Sequence, residues 1–235
     1  MIEGQLNQIE REILVSALLD SPKRPEVAIE VGTWLGGGST LHILQVFQQQ
    51  GGGHLWGIEA DRSIYDKMIE NIQTALPGAG DLFTPLFGFS QEVIPKWIEQ
   101  QGPDLQIDFV FLDGGDNPLE QISEFRLLDR YIPVGGRLLS HDAHMRKGKW
   151  LVPYLSALDN WKVEVHCVSE EGILTAKKIA ESPSARGVKH ANQVLAKKRR
   201  EWAEVLGKLL PRPVIHLAAA ILPKRLVRRY AEGRK

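Results

Sequence analysis

Apolar and polar positions alternate along this chain with two different periods. Short runs at 27–31, 82–87 and 107–112 are mostly apolar or β-branched, and shorter apolar cores stand within 54–59 and 137–140. Such runs predict strands buried on both faces of a parallel sheet. Between them, apolar residues recur at helical spacing over 39–49, 63–75, 91–100, 118–131 and 149–158. Two further runs, 162–168 and 172–179, are close enough in sequence to pair antiparallel. Leu6, Ile9, Ile13, Leu14 and Leu18 predict an amphipathic helix over 3–20, stopped by Ser21-Pro22-Lys23-Arg24-Pro25. Strands that alternate with helices make an α/β fold, a doubly wound sheet with helices on both faces. The opening helix reads first as a cover for one end of that sheet and second as a lid over a ligand.

The stretch 27–40, VAIEVGTWLGGGST, is the centre of the pattern. A buried strand runs into Gly32, then Gly36, Gly37 and Gly38, then the helix start at Ser39 and Thr40. A strand, a glycine turn and a helix N-terminus cradle nucleotides or phosphates in doubly wound sheets. The spacing does not supply G-x-G-x-x-G, and no lysine follows to make a Walker loop. What stands there is Glu30-x-Gly32-x-x-x-Gly36. An αβ turn without a ligand is the competing reading of the loop taken alone.

The other strand ends remove much of that ambiguity. Ligands of open α/β sheets bind outside the carboxyl ends of the strands. Those ends read Glu30-Val31-Gly32, Glu59-Ala60-Asp61, Gly88-Phe89-Ser90, Asp113-Gly114-Gly115-Asp116 and His141-Asp142-Ala143-His144. Polar and acidic residues thus gather on one rim. A carboxylate at Glu59 can accept hydrogen bonds from both hydroxyls of a ribose. Two hard carboxylates, Asp113 and Asp142, suit Mg²⁺, Mn²⁺ or Ca²⁺. His141 and His144 are candidates for a general base. The alternatives are a Phe89 that packs in the core and an Asp142 that caps a turn.

The glycine loop, Glu59 and the LDGG-D…GG…HD segments resemble class I S-adenosylmethionine (SAM) methyltransferases over roughly residues 26–180. The second pair of segments resembles the macrocin-type sugar and small-molecule O-methyltransferases. The resemblance implies a Rossmann-like, seven-stranded, mostly parallel sheet whose last strand is inserted antiparallel. It implies a SAM site formed by Glu30, Gly32, Thr33, Trp34, Gly36, Gly38, Glu59, Ala60, Phe89, Ser90, Asp113 and Gly114. It implies O-methylation of a small-molecule or sugar hydroxyl, with His141, Asp142 and His144 as catalytic candidates. Metal-dependent catechol-type enzymes place two aspartates and an asparagine at such strand ends. Here Ala143 follows Asp142, so an Mg²⁺-type site at Asp113 and Asp142 would recruit Asp116, His141 or His144.

Composition changes the picture in one respect. The net charge is zero, but residues 186–235 hold 14 Lys/Arg against 3 Glu. The chain therefore reads as an acidic catalytic domain, 1–185, and a basic helical extension, 186–235. An acidic body argues against nucleic acid as partner. The extension carries helical spacing from 188 to 210, proline breaks at Pro211 and Pro213, an apolar run at 214–222, and KRLVRRY. Peripheral contact with an anionic membrane, or self-association, is the expected use of such a segment, with packing on the core as the alternative. A single cysteine, Cys167, excludes a disulfide framework, and the acidic N-terminus lacks a signal-peptide core. A cytoplasmic enzyme is expected. A non-catalytic SAM- or nucleotide-binding module and a nicotinamide oxidoreductase are the rival readings. The Asp and His residues disfavour the first, and the missing dinucleotide fingerprint disfavours the second.

Overall fold

The structure, a computed structural model, describes residues 2–21 and 23–209. Seven strands form one sheet: β1 (Val27–Val31), β2 (His54–Glu59), β3 (Phe83–Phe87), β4 (Phe109–Leu112), β5 (Arg137–His141), β6 (Trp161–His166) and β7 (Ile173–Lys178). Their order is β3-β2-β1-β4-β5-β7-β6. All neighbours are parallel except β7, which runs antiparallel to both β5 and β6. This is the expected seven-stranded topology. Every residue of β4 is buried, as its unbroken FVFL run requires at the centre of a parallel sheet.

The helices are α1 (Gln8–Leu19), α2 (Thr40–Gln50), α3 (Arg62–Ala75), α4 (Ser90–Gln101), α5 (Pro118–Leu128), α6 (Gly148–Ala157) and α7 (Ala185–Leu209). Local chemistry sets several of their starts. Asn7 and Glu10 make a reciprocal capping box on α1. The Asp61 carboxylate caps α3, and Asn117 caps α5 ahead of Pro118. Ser39 stands at the N-cap of α2 but makes no cap bond, because its hydroxyl donates to Glu30 instead.

Two boundaries differ from the sequence pattern. α1 starts at Gln8, not at residue 3. Residues 2–6 instead lie against the glycine loop: a Cβ on Gly4 would come within 2.2 Å of the Gly38 backbone. The turn after α3 is a 3-10 helix, Pro77–Leu82.

The described residues divide into two units, which part between residues 192 and 193. The carboxyl ends of all seven strands belong to the first. α7 is the helix expected in the basic extension. The apolar run 214–222 and the basic residues after it lie outside the described residues. Among the described residues, no helix is long and apolar enough to cross a membrane.

Candidate active site

The carboxyl ends of β1 to β5 open into a groove of about 730 Å³. Gly32 begins it. Its φ is +86°, and a Cβ there would lie 2.4 Å from the Asp113 carbonyl oxygen. Only glycine lets the ends of β1 and β4 approach this closely. Gly36 also has positive φ, but Gly37 and Gly38 serve a different neighbour. A Cβ on Gly37 would meet the Glu3 carbonyl at 2.4 Å. These two glycines admit the N-terminal segment, and neither they nor Gly36 line the groove.

Glu59 ends β2 and faces the groove. Its Oε2 accepts the Trp34 backbone N–H at 3.0 Å, and its Oε1 accepts those of Ala60 and Asp61 at 2.8 and 3.0 Å. Trp34 has a φ of +46°, which an L residue adopts only when its surroundings hold it there. Glu59 therefore holds the loop after β1 as well as offering lone pairs to a ligand. Trp34 and Ala60 line the groove beside it.

Glu30 and Thr33 lie underneath. Glu30 is fully buried and accepts hydrogen bonds from the Ser39 and Thr40 hydroxyls, the latter at 2.7 Å. Burial pushes its pKa up to about 7, against the lowering effect of those two hydroxyls; the Asp113 and Glu59 charges add to the rise. Thr33 is buried and packs its methyl against Gly57.

The next wall is Gly88-Phe89-Ser90. Phe89 is 64% exposed, which rules out the core-packing alternative for it. The Ser90 hydroxyl donates to Glu124 Oε1 at 2.5 Å. Glu124, on α5, has no place among the residues expected from the strand ends. It is buried among Ile122, Phe125 and Leu128, and burial raises its pKa.

The far end holds Asp113, Gly114, Asp116, His141 and Asp142, all lining the groove. Asp142 has a φ of +61°, left-handed backbone that an aspartate tolerates better than most residues. His141 is buried, and neither ring nitrogen has a hydrogen-bond partner. Nδ1 lies 3.5 Å from both Asp113 Oδ1 and Asp142 Oδ1, and Nε2 lies 3.6 Å from Glu10 Oε1. Burial draws its pKa down, but the three carboxylates outweigh this and hold it above the ordinary value. His144 does not line the groove; its ring meets the Cys167 sulfur at 3.4 Å.

Two charged residues that meet the His141, Asp113 and Asp142 cluster come from outside the strand ends. Glu10, from α1, is buried and accepts from the Ser169 hydroxyl at 2.6 Å. Lys147, just before α6, puts Nζ 2.9 Å from Asp113 Oδ1, 3.0 Å from Asp142 Oδ2 and 2.8 Å from the Gly114 carbonyl oxygen. Burial lowers its pKa, but the two aspartates more than offset this, so the amine stays charged.

This ammonium decides how the aspartates fit a divalent ion. Asp113, His141 and Asp142 each offer a donor atom, all within 4.8 Å of one another. The space between the two carboxylates is taken by Lys147 Nζ, so as arranged they do not fit a second cation.

A protein-family model described as a methyltransferase domain matches residues 29–143. This match and the seven-stranded sheet are consistent with a class I SAM-dependent methyltransferase. No curated protein matches its sequence. Among solved structures it is similar in fold to a candidate O-methyltransferase from Klebsiella pneumoniae, at 20% identity and a TM-score of 0.61, covering 75% of this chain and 82% of that one. An O-methyltransferase from Bacillus cereus in complex with SAH gives 17% identity and 0.59, over 74% and 82%. A methyltransferase from Geobacter sulfurreducens gives 18% and 0.57, over 74% and 80%. The match to the methyltransferase family begins in β1 and ends just past Asp142, so it spans all the strand ends of the groove.

Proposed function

We propose that this methyltransferase uses SAM to methylate a hydroxyl of a small molecule or sugar. The observation that supports it most is the convergence of Gly32, Glu59, Phe89, Asp113 and His141 on one groove. In this reading Glu59 accepts the ribose hydroxyls, and Phe89, which is exposed, lies against the base. SAM supplies an activated methyl group and its own leaving group: a C–O bond forms as the C–S bond breaks, and the sulfur keeps the electron pair.

The chain's residues then have three tasks. They align acceptor and donor, they exclude water, and they remove the hydroxyl proton. His141 is the group we assign to the proton, because its unpartnered ring faces the groove. Asp113, Asp142 and Glu10 stabilise the imidazolium that forms, which is the usual work of carboxylates around a catalytic histidine. Eight carboxylate side chains line the groove against one lysine. That balance favours a neutral or cationic acceptor and repels an anionic one.

The direct test is transfer of labelled methyl from SAM to a panel of neutral, amine-bearing and carboxylate-bearing hydroxyl compounds. Methylation of the first two, lost in His141→Ala, is expected. Methylation of nitrogen alone, or of carboxylate-bearing compounds preferentially, would refute the reading. A non-catalytic SAM-binding module would bind SAM and methylate none of them. We assign the basic extension no part in methyl transfer; self-association or contact with an anionic surface remains its proposed use.

A further inference from the structure

We propose that Lys147 is the resident cation of this site, occupying the position between Asp113 and Asp142 where a divalent ion would otherwise sit, so that the groove works without a metal. The inference rests on reading the groove as a methyltransferase site.

Three observations carry it. The first is the completeness of the lysine's bonding. An ammonium has three N–H donors, and Lys147 spends them on Asp113, Asp142 and the Gly114 carbonyl at 2.8–3.0 Å. Its side chain is only 3% exposed. A Mg²⁺ or Ca²⁺ ion bonds oxygens at about 2.0–2.6 Å, so an ion on this carboxylate pair would lie in contact with the ammonium. The two cations exclude one another.

The second observation is the backbone that delivers the lysine. The chain turns at Asp142 through left-handed backbone and folds back so tightly that a Cβ on Gly148 would meet the Asp142 carbonyl oxygen at 2.3 Å. Glycine at 148 is what permits Lys147 to return over the end of β5. The lysine is placed by the fold and does not reach in from a flexible surface.

The third is the residue after Asp142. Ala143 has no side-chain donor atom, so the end of β5 offers a metal only the side chains of His141 and Asp142. With Lys147 removed, Asp113, His141 and Asp142 would form an open three-donor set within 4.8 Å. The lysine is what closes it. It neutralises two carboxylates that otherwise repel, and it fixes them on either side of His141. Lys147 is thus a positioning residue, since its donors are already used.

The test is a Mn²⁺ titration of the full chain, read by the electron paramagnetic resonance signal of the free ion. Wild type, Asp142→Asn, Lys147→Met and Lys147→Met combined with Asp142→Asn are compared, with S-adenosylhomocysteine binding measured calorimetrically on each. Wild type should leave the Mn²⁺ signal unchanged. Lys147→Met should bind Mn²⁺ stoichiometrically, and loss of Asp142 should weaken that binding by about 10–100-fold. Stoichiometric Mn²⁺ binding by wild type that Asp142→Asn abolishes would overturn the proposal. So would a Lys147→Met protein that binds S-adenosylhomocysteine but no Mn²⁺. If Lys147→Met fails to fold, the wild-type titration still decides. Failure of wild type to bind S-adenosylhomocysteine would strike the methyltransferase reading instead, and is seen separately.

Discussion

At the end of the sheet where β1 and β4 begin, buried charge is closed off by its neighbours. Asp108 accepts the backbone N–H groups of Glu26 and Val27 at 2.8 and 3.1 Å and pairs with Lys23 at 3.0 Å. Buried Lys178 donates to the Asp129 carbonyl oxygen at 2.5 Å and reaches its carboxylate at 3.1 Å. At the opposite end, where the same strands stop, the charges converge on open space. His141 keeps both ring nitrogens without a hydrogen bond while three carboxylates stand 3.5–3.6 Å away. Glu124 and Glu10 are buried yet line the groove. The same residue types therefore serve stability where their bonding is complete, and chemistry where it is left incomplete.

Substitutions at the two ends should separate these roles. The largest effect is expected at His141. His141→Ala should lower turnover by about 10²–10⁴-fold while leaving S-adenosylhomocysteine affinity near wild type. Steady-state rates beside calorimetry measure both. A variant with full turnover would remove His141 from the chemistry.

Glu30 tests whether the groove end stores electrostatic cost. Its carboxyl is raised by burial from 4.5 to about 7. The native state therefore holds this proton where the unfolded chain has released it. Stability should be fullest below pH 4.5, fall as pH rises towards about 7, and flatten above. The loss attributable to this group is at most about 3 kcal/mol. Urea unfolding of wild type and Glu30→Gln across pH 5–8 gives the difference, which should shrink to a pH-independent value if another group carries the slope.

At the closed end, Asp108→Ala orphans two backbone N–H groups, and should cost about 2 kcal/mol or more of stability. Cofactor affinity per folded molecule should not change. Loss of affinity without loss of stability would erase the contrast between the two ends. The smallest effect is expected at Phe89. Removing an exposed aromatic face from a stacked base should weaken SAM binding by about 0.5–1.5 kcal/mol, readable by calorimetry on Phe89→Ala.

Legibility in the sequence follows from where the information lies. Strand ends are local: Gly32, Glu59, Phe89, Asp113 and His141 each follow an apolar run, and the order of those runs alone puts them on one rim. The alternation of strands and helices is legible for the same reason, whereas the antiparallel insertion of β7 follows only from the resemblance to methyltransferases. Lys147 is not legible, because its role depends on the left-handed turn at Asp142 and the close approach at Gly148. Glu10 lies 131 positions before His141 and meets it only through tertiary packing. Its one local signal is the capping box with Asn7, which marks a helix start and no more. Gly37 and Gly38 read as part of a ligand loop but make room for residues 2–5. A glycine run states that something approaches closely, and does not state what. Glu124 leaves a usable trace: a carboxylate flanked by Ile122, Phe125 and Leu128 on a buried helix face calls for a partner.

Glu59, at the mouth of the groove, carries the assignment of the cofactor site, and one titration probes it most directly. S-adenosylhomocysteine is titrated calorimetrically into wild type, Glu59→Ala and Asp108→Ala under conditions where all three are folded. Wild type and Asp108→Ala should bind alike, and Glu59→Ala should bind more weakly by about 1–3 kcal/mol. No binding by wild type, or equal affinities for wild type and Glu59→Ala, would contradict the assignment of this groove to the methyl donor.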